Sequence, residues 1–221
     1  MTDTVELSRL PNSDGSCELT RGKTKVVVAV TGPIEPKPRQ AMANVASLEV
    51  VVRPVAGVST TRERLLEDKI RGLLQRVIVR HQFPRQLIQV VVQFLTGDGA
   101  ETPEYTANDI AGALSASFYA LIDANIPLYT SFVASSVAVV DGAFVPNPSP
   151  GQLQKSTSHH ALCFSISAGA ADELVFLDSA GDFSESELFD VIAAEAERAA
   201  GVHAVQRQVI EAKLKRDYQW S

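Results

Sequence analysis

The chain is 221 residues long, 45% hydrophobic, and carries a formal net charge of −6 at pH 7. A chain of this length buries roughly 70% of its unfolded surface, so it needs no metal or disulfide to hold a core, and Cys17 and Cys163, distant and outside any CxxC spacing, suggest neither. Its first residues lack an apolar leader and no run of about 18 apolar residues occurs. The expectation is a protein of a reducing compartment, cytosol or nucleus, without signal peptide or membrane span.

Turn residues 12–15 lead into a strand at 16–19, and the apolar run 24–31 completes a hairpin that starts a sheet. Gly32, Pro33, Pro36 and Pro38 stop it. Alternation over 46–54 gives a third strand, and Leu65, Ile70, Leu73, Leu74 and Val77 supply the apolar side of a helix over about 61–79. An apolar strand at 87–95 follows, then a turn, then a helix from Thr106 that Pro127 ends. In that helix Ile110, Leu114, Phe118, Leu121 and Ile122 form one side, and Ala111, Gly112, Ser115, Ala116 and Ala120 the other, which predicts a central helix covered on both faces. Thr106 and Asp109 have capping-box spacing.

The second half repeats this order loosely. Strands at 129–140 and 143–145 flank a hairpin turn at Asp141 and Gly142, and a proline-rich loop comes next. Strands at 160–167 and 173–178 are joined by the loose small-residue segment 168–171. Ser184 and Glu187 open a helix to about Lys215. Gly201 is where it could break, and its basic end (Lys213, Lys215, Arg216) suits the negative pole of the helix dipole. The expected class is α+β, mixed sheets packed with a central helix and a long C-terminal helix, in one domain of two loosely similar halves, about 1–128 and 129–221.

The charge is unevenly spread. Within 53–85, eight basic residues (Arg53, Arg62, Arg64, Lys69, Arg71, Arg76, Arg80, Arg85) stand against three acidic ones (Glu63, Glu67, Asp68), a local +5 that leaves −11 for the remainder. Such asymmetry suggests a polyanion on one side and other partners elsewhere. The alternative is a solvated helix face in which Glu63 and Glu67 form local ion pairs.

No Walker loop, GxGxxG, GxSxG or HExxH occurs. His159 and His160 are adjacent at a strand start, so they point to opposite sides and cannot readily share a metal. They, His81 and His203 read as structural histidines, because no Cys, Asp or Glu stands at ligand spacing. Asp178 and Asp182 bracket the turn LDSAGD, which accounts for them, although two carboxylates four apart could serve acid–base or Mg²⁺ chemistry. The cysteines read as buried thiols. The serious candidate is the turn before the central helix. Gly97 and Gly99 permit a tight backbone there, and the helix N-terminus offers unpaired N–H groups of the kind that bind phosphate. Between Gly99 and the helix, however, stand Glu101 and Glu104 and no Lys or Arg. Those carboxylates suit the helix dipole and repel a phosphate.

Four blocks, GSCELTRGKTKVVVAVTGPIE (15–35), VRPVAGVSTTRERLLEDKIRGLL (52–74), FPRQLIQVVVQFLTGDG (83–99) and ALIDANIPL (120–128), with the later FLDSAGDFS, resemble RNase PH and its exosome relatives in the family's order. The resemblance implies the RNase PH fold (S5 domain 2-like), two β-β-β-α-type halves, and a hexameric ring threaded by single-stranded RNA. It also implies that the chain is not an enzyme. Active relatives bind phosphate with Gly-Ser/Thr-Arg after the DG turn, where this chain reads GAETPEYTAND. They place a phosphate-binding arginine where this chain has Asp68. Their catalytic aspartate pair falls on Asn147 and Leu153, neither of which ionises to hold a metal or move a proton.

The implied function is a non-catalytic RNase PH-like subunit of the exosome core ring, without cofactor or metal, supporting assembly and the single-stranded RNA path in 3′–5′ processing and decay. The alternative is a phosphorolytic or metal-dependent 3′–5′ exoribonuclease with a rearranged site at Asp178 and Asp182, and a third, weaker reading is a homo-oligomer outside any exosome. Alignment with the family's RNA-contacting region points to Arg62 and Arg64, with Arg53 and Arg85 behind them, since phosphate contacts need only accessible positive charge. Implied partners are the other RNase PH-like subunits of a hetero-hexameric ring, S1/KH cap proteins and an associated hydrolytic exoribonuclease, in nucleus, nucleolus and cytoplasm.

Overall fold

A computed structural model describes residues 3–22, 24–96 and 105–217. Gly97, Gly99, Glu101 and Glu104 of the glycine turn lie outside the described residues. The chain divides into two compact units, Met1–Pro103 with Gly112–Tyr129, and Glu104–Ala111 with Thr130–Ser221. No helix among the described residues is long and apolar enough to cross a membrane.

The first unit contains β1 (Thr4–Leu7), β2 (Gly15–Arg21), β3 (Thr24–Ile34), β4 (Ser47–Arg53), α1 (Thr61–Val77), a 3-10 turn (Arg80–Gln82), β5 (Leu87–Thr96) and most of α2 (Ala107–Asp123). The sheet order is β1-β2-β3-β5-β4. All neighbours are antiparallel except β4 and β5, which run parallel in register from Ser47 opposite Leu87 to Arg53 opposite Gln93. Every second residue buries on one face, as a strand's period requires: Val26, Val28 and Val30 of β3 and Val90 and Val92 of β5 are fully buried. Each such side chain contributes up to about 1.5–3 kcal/mol when removed from water. α1 packs on β4 through Leu66, Ile70, Leu73, Leu74 and Val77, all buried.

In α2 every residue from Ala111 to Ala120 is buried, as its two apolar sides predict. Its first turn forms with the Ile110 N–H donating to the Thr106 carbonyl at 2.9 Å. Its last turn is tied to the start of β2, where the Asp123 carboxylate accepts from the Ser16 N–H and the Ser8 hydroxyl, both at 2.8 Å. Gly15 permits that approach. A Cβ there would lie 2.3 Å from the Ala124 nitrogen and 2.4 Å from the Ala120 oxygen.

The second unit contains β6 (Ser131–Val140), β7 (Ala143–Pro146), α3 (Pro150–Lys155), β8 (Ser158–Ser167), β9 (Ala170–Gly181) and α4 (Glu185–Asp217). Its sheet, β7-β6-β8-β9, is antiparallel throughout. Asp141 and Gly142 both take positive φ (51° and 76°), the conformation a two-residue hairpin turn demands. α4 closes over the sheet, with Val191 and Ala199 packed among Val133, Val137, Val139, Leu162, Phe164 and Ile166.

The structure adds to the expected elements. β1 precedes the first expected strand. The proline-rich loop contains α3, begun by Pro150 as its first residue and by the Gln152 carboxamide oxygen accepting the Ser149 N–H at 2.9 Å. The loose segment 168–171 is a tight turn, with Ala168 at φ 52° and Gly169 at φ 87°, so β9 extends well beyond 173–178 in both directions. α4 runs through Gly201 without a break. The second sheet has no parallel pair and no counterpart of α1, so the likeness of the halves is looser than their element order suggests.

Gly15→Ala forces a methyl group into backbone rather than into a yielding side chain. It should destabilise the protein by about 1–3 kcal/mol or more, seen as a lower urea midpoint, and an unchanged midpoint would show that β2 and α2 can separate at no cost.

Candidate nucleic-acid interface

The basic segment is positioned by α1. Its N-cap is Thr60, and the cap is reciprocal: Glu63 accepts from the Thr60 N–H and hydroxyl, each at 2.6 Å. Glu63 also accepts from the Arg62 guanidinium at 3.1 Å. Arg62 is only 6% exposed and Glu63 1%. Burial pushes the Glu63 carboxyl upward, but the Thr60 and Arg62 donors outweigh it and hold the group below the usual carboxylate range. The expectation that Arg62 offers an accessible charge to RNA is therefore corrected: its guanidinium is inside the protein and committed to Glu63. Two residues on, Arg64 is exposed, and its backbone N–H donates to the Thr60 carbonyl at 3.2 Å. Arg53 is exposed at the C-terminal end of β4. Between them loops 54–59, where Val58 is 86% exposed and the Ser59 hydroxyl donates to the Val52 carbonyl at 3.1 Å. Neither Arg53 nor Arg64 has an ion-pair partner among the described residues. Glu67 accepts the Val52 N–H at 3.0 Å and so braces the end of β4.

Arg85 is exposed as well, but it precedes β5 at the opposite end of the parallel pair. The register separates the two ends by six strand steps, roughly 20 Å. Arg53 and Arg64 thus form one basic corner, and Arg85 belongs elsewhere.

The residues that the resemblance aligns with the family's chemistry are also placed. Asp68 is exposed on α1 and paired with Arg71 at 2.5 Å. In the second unit, Asn147 sits between two prolines with φ 48°. Its N–H donates to the Ser136 carbonyl at 2.8 Å. The Ser136 hydroxyl donates to the Asn108 side-chain oxygen at 2.7 Å, and the Asn108 amide donates to the Pro148 carbonyl at 2.7 Å. The Asn147 side-chain oxygen is buried with no hydrogen-bond partner among the described residues. Leu153 is 4% exposed, on α3.

Of the other candidates, Asp178 is half-buried on β9, and Asp182 is exposed with its N–H on the Thr157 carbonyl at 3.0 Å. No group of three or more His, Cys, Asp or Glu among the described residues could hold a metal ion. Burial pushes both cysteine thiols up, Cys17 further by Asp123 and Glu18, which leaves them protonated and inert. His159 faces Tyr105, with ring centroids 5.6 Å apart. His160 is fully buried. Its Nδ1 lies 2.9 Å from the Ser179 hydroxyl and its Nε2 3.3 Å from the Ser158 hydroxyl. Since Ser158 donates its own proton to Glu187 at 2.8 Å, the neutral ring donates from Nε2 to Ser158 and accepts at Nδ1 from Ser179. Burial lowers the His160 pKa below the ordinary histidine value, opposed by Glu187 and assisted by His159.

Three features escaped the residue pattern: the Thr60–Glu63 cap, the exposed Tyr129, and its bond to His81, whose Nδ1 lies 3.0 Å from the tyrosine hydroxyl. The Thr60-x-x-Glu63 spacing is legible in the sequence. The exposure of Tyr129 is not.

Residues 4–127 match the family described as the 3′ exoribonuclease family, domain 1 (RNase_PH). The exosome complex component RRP46 of Saccharomyces cerevisiae is 38% identical over 196 residues, covering 87% of each chain. The exosome complex component rrp46 of Schizosaccharomyces pombe is 34% identical over 186 residues, covering 83% of this chain and 78% of its own. The crystal structure of rice (Oryza sativa) Rrp46 superposes with a TM-score of 0.79 at 24% identity, covering 98% of this chain and 93% of that one, and so shows the same fold.

Two outcomes follow. Arg62→Ala strands Glu63 as a buried unpaired charge and should cost about 3–5 kcal/mol, whereas Arg64→Ala should stay within about 0.5 kcal/mol; equal urea midpoints for the two would refute the assignment. For His160, the unfolded chain binds the proton more readily than the folded one, so stability rises with pH where the two differ and is lost as pH falls below about 6.5. His160→Gln should flatten urea midpoints measured across that range, and an unaltered slope would place the titration elsewhere.

Proposed function

This chain belongs to the RNase PH family of 3′ exoribonucleases, and from that premise we propose that it is a non-catalytic, Rrp46-type subunit of an exosome core ring that supports assembly and the path of single-stranded RNA. The observation that carries the non-catalytic reading is the side-chain inventory at the family's working positions. An exposed Asp68 paired with Arg71 stands where a cation would grip phosphate, and Asn147 and the buried Leu153 stand where an acid pair would work. A negative charge at an anion site and two groups without a titratable proton remove both the electrostatic and the acid–base contributions on which such chemistry rests.

Within the ring, Arg53 and Arg64 are the residues of this chain that contact RNA, through phosphates and without base readout, with Arg85 contributing away from that corner. The neighbours are other RNase PH-like subunits, with S1/KH cap proteins and an associated hydrolytic exoribonuclease that does the cutting, in nucleus, nucleolus and cytoplasm. Both units act as parts of one RNase PH-like domain.

The purified chain, alone or with a ring neighbour, should leave single-stranded RNA intact in phosphate buffer. Shortening that disappears when Asp178 or Asp182 is replaced would establish the rearranged nuclease instead. In the assembled ring, Arg53→Glu with Arg64→Glu should reduce the length of RNA protected from added nuclease while the ring still assembles, and unchanged protection would remove these arginines from the RNA path.

A further inference from the structure

The end of the first unit away from Arg53 and Arg64 carries a second surface with the chemistry of a single-strand binder. From Lys69 to Thr96 the sequence holds five Lys or Arg and no Asp or Glu. The fold brings several of these cations into the same end of the first unit as an exposed aromatic. Tyr129 is 59% exposed. Its backbone N–H donates to the Val77 carbonyl at 2.8 Å, and its hydroxyl meets His81 with ring centroids 6.1 Å apart and an interplanar angle of 32°. His81 belongs to the 3-10 turn whose first residue, Arg80, donates from Nε to the Ala46 carbonyl at 2.8 Å and approaches the Met42 sulfur at 3.4 Å. The Arg85 N–H donates to the Met42 carbonyl at 3.1 Å. Arg76, in the last turn of α1 just before Val77, is exposed. Thus Tyr129 is tied to His81, and Met42 to Arg80 and to the Arg85 backbone, while Arg76 immediately precedes the residue whose carbonyl holds Tyr129, all within a single unit.

Two features distinguish this surface from a merely solvated basic end. Arg76 and Arg85 have no ion-pair partner among the described residues; at this end of the sheet Glu49 already accepts from Gln40 and Gln89, and Glu35 is exposed just beyond Ile34, the partner of Leu87. Arg85 also holds a left-handed backbone at φ 60°, a conformation that costs a non-glycine residue energy and that glycine would adopt freely.

We infer that this end of the first unit binds single-stranded RNA, with a base stacked on Tyr129 and the flanking phosphates held by Arg76 and Arg85. An exposed ring with unpaired cations on the neighbouring segments is the combination that single-strand binding uses, stacking for the base and charge for the backbone. The Tyr129–His81 contact holds the ring in place, so little freedom is lost when a base settles on it. Arg80, anchored at Ala46 and against Met42, positions the turn. The surface is distinct from the Arg53–Arg64 corner and needs no ring to be present.

The experiment is fluorescence-anisotropy binding of a labelled oligoadenylate to the full chain across a salt series. Tyr129→Ala should weaken binding about 5- to 150-fold, the loss typical of one stacked base, and Tyr129→Phe should retain most of the affinity. Arg85→Gly should weaken binding and shallow the salt dependence by about 0.7 in log–log slope while leaving the urea midpoint unchanged or higher. Arg53→Glu with Arg64→Glu should leave the effect of Tyr129→Ala unaltered. Parent-like binding by Tyr129→Ala and Arg85→Gly overturns the inference, as does a parent chain with no affinity for the oligonucleotide, or one that takes up an acidic peptide at this surface in its place. None of those results touches the ring-subunit reading, which is judged in the assembled ring by RNA protection.

Discussion

Parallel strands cannot be joined by a tight turn, so β4 and β5 require a crossover helix, and the first unit is organised by that requirement. The chain leaves the sheet at Arg53, returns along α1, and re-enters beside Ser47 at Leu87. Seventeen helical residues span roughly 25 Å, enough to carry the chain back along the length of β4. A run of cations that looks like one block in the sequence is thereby divided. Arg53 and Arg64 stay at the exit end, while Arg76, Arg80 and Arg85 are delivered to the entry end. Connectivity, more than charge count, determines that this chain has two basic surfaces.

The helix then sorts neighbours by angle. Successive residues are about 100° apart around an α-helix, so Arg62 and Arg64 face nearly opposite ways. Arg64 projects into solvent. Arg62 turns inward, where a lone guanidinium would be prohibitively costly, and it is tolerable because Glu63 is inside with it. Glu63 is in turn satisfied by the Thr60 N–H and hydroxyl. The cap, the buried charge pair and the start of α1 therefore stand or fall together, and a reversal at Arg62 would report on folding rather than on RNA.

How much of this was legible follows from what periodicity can encode. The strands at 24–31 and 87–95 and the two flanking helices were readable because long apolar repeats leave few alternatives. β1 was not, because four residues with alternating exposed and half-buried side chains carry almost no signal. α3 was hidden by prolines, although Pro150 at its first position is where a helix accepts one. α4 continues through Gly201 because packing of Val191 and Ala199 against the sheet outweighs about 1 kcal/mol of intrinsic glycine cost. The site was legible in part. Residue type and spacing identified the basic segment, but which arginine turns inward depends on the phase of α1 against β4, and the exposure of Tyr129 depends on the chain's path after α2. Neither is a local property.

In the second unit, the loop that follows β7 is fixed through its main chain. Asn147 is held between prolines in a left-handed conformation that asparagine and aspartate tolerate about equally well. Its backbone is fixed by the Ser136 carbonyl, and the adjoining Pro148 carbonyl is fixed by Asn108. These bonds use the main chain of 147 and 148 and are indifferent to whether the side chain at 147 carries a charge. The Asn147 side-chain oxygen accepts no hydrogen bond among the described residues, so a carboxylate oxygen in its place would be buried without a donor, and Leu153 on α3 is apolar. An unpaired buried carboxylate would take up a proton rather than work as an anion. The surroundings of position 147, as well as the residue that occupies it, therefore disfavour an anion there.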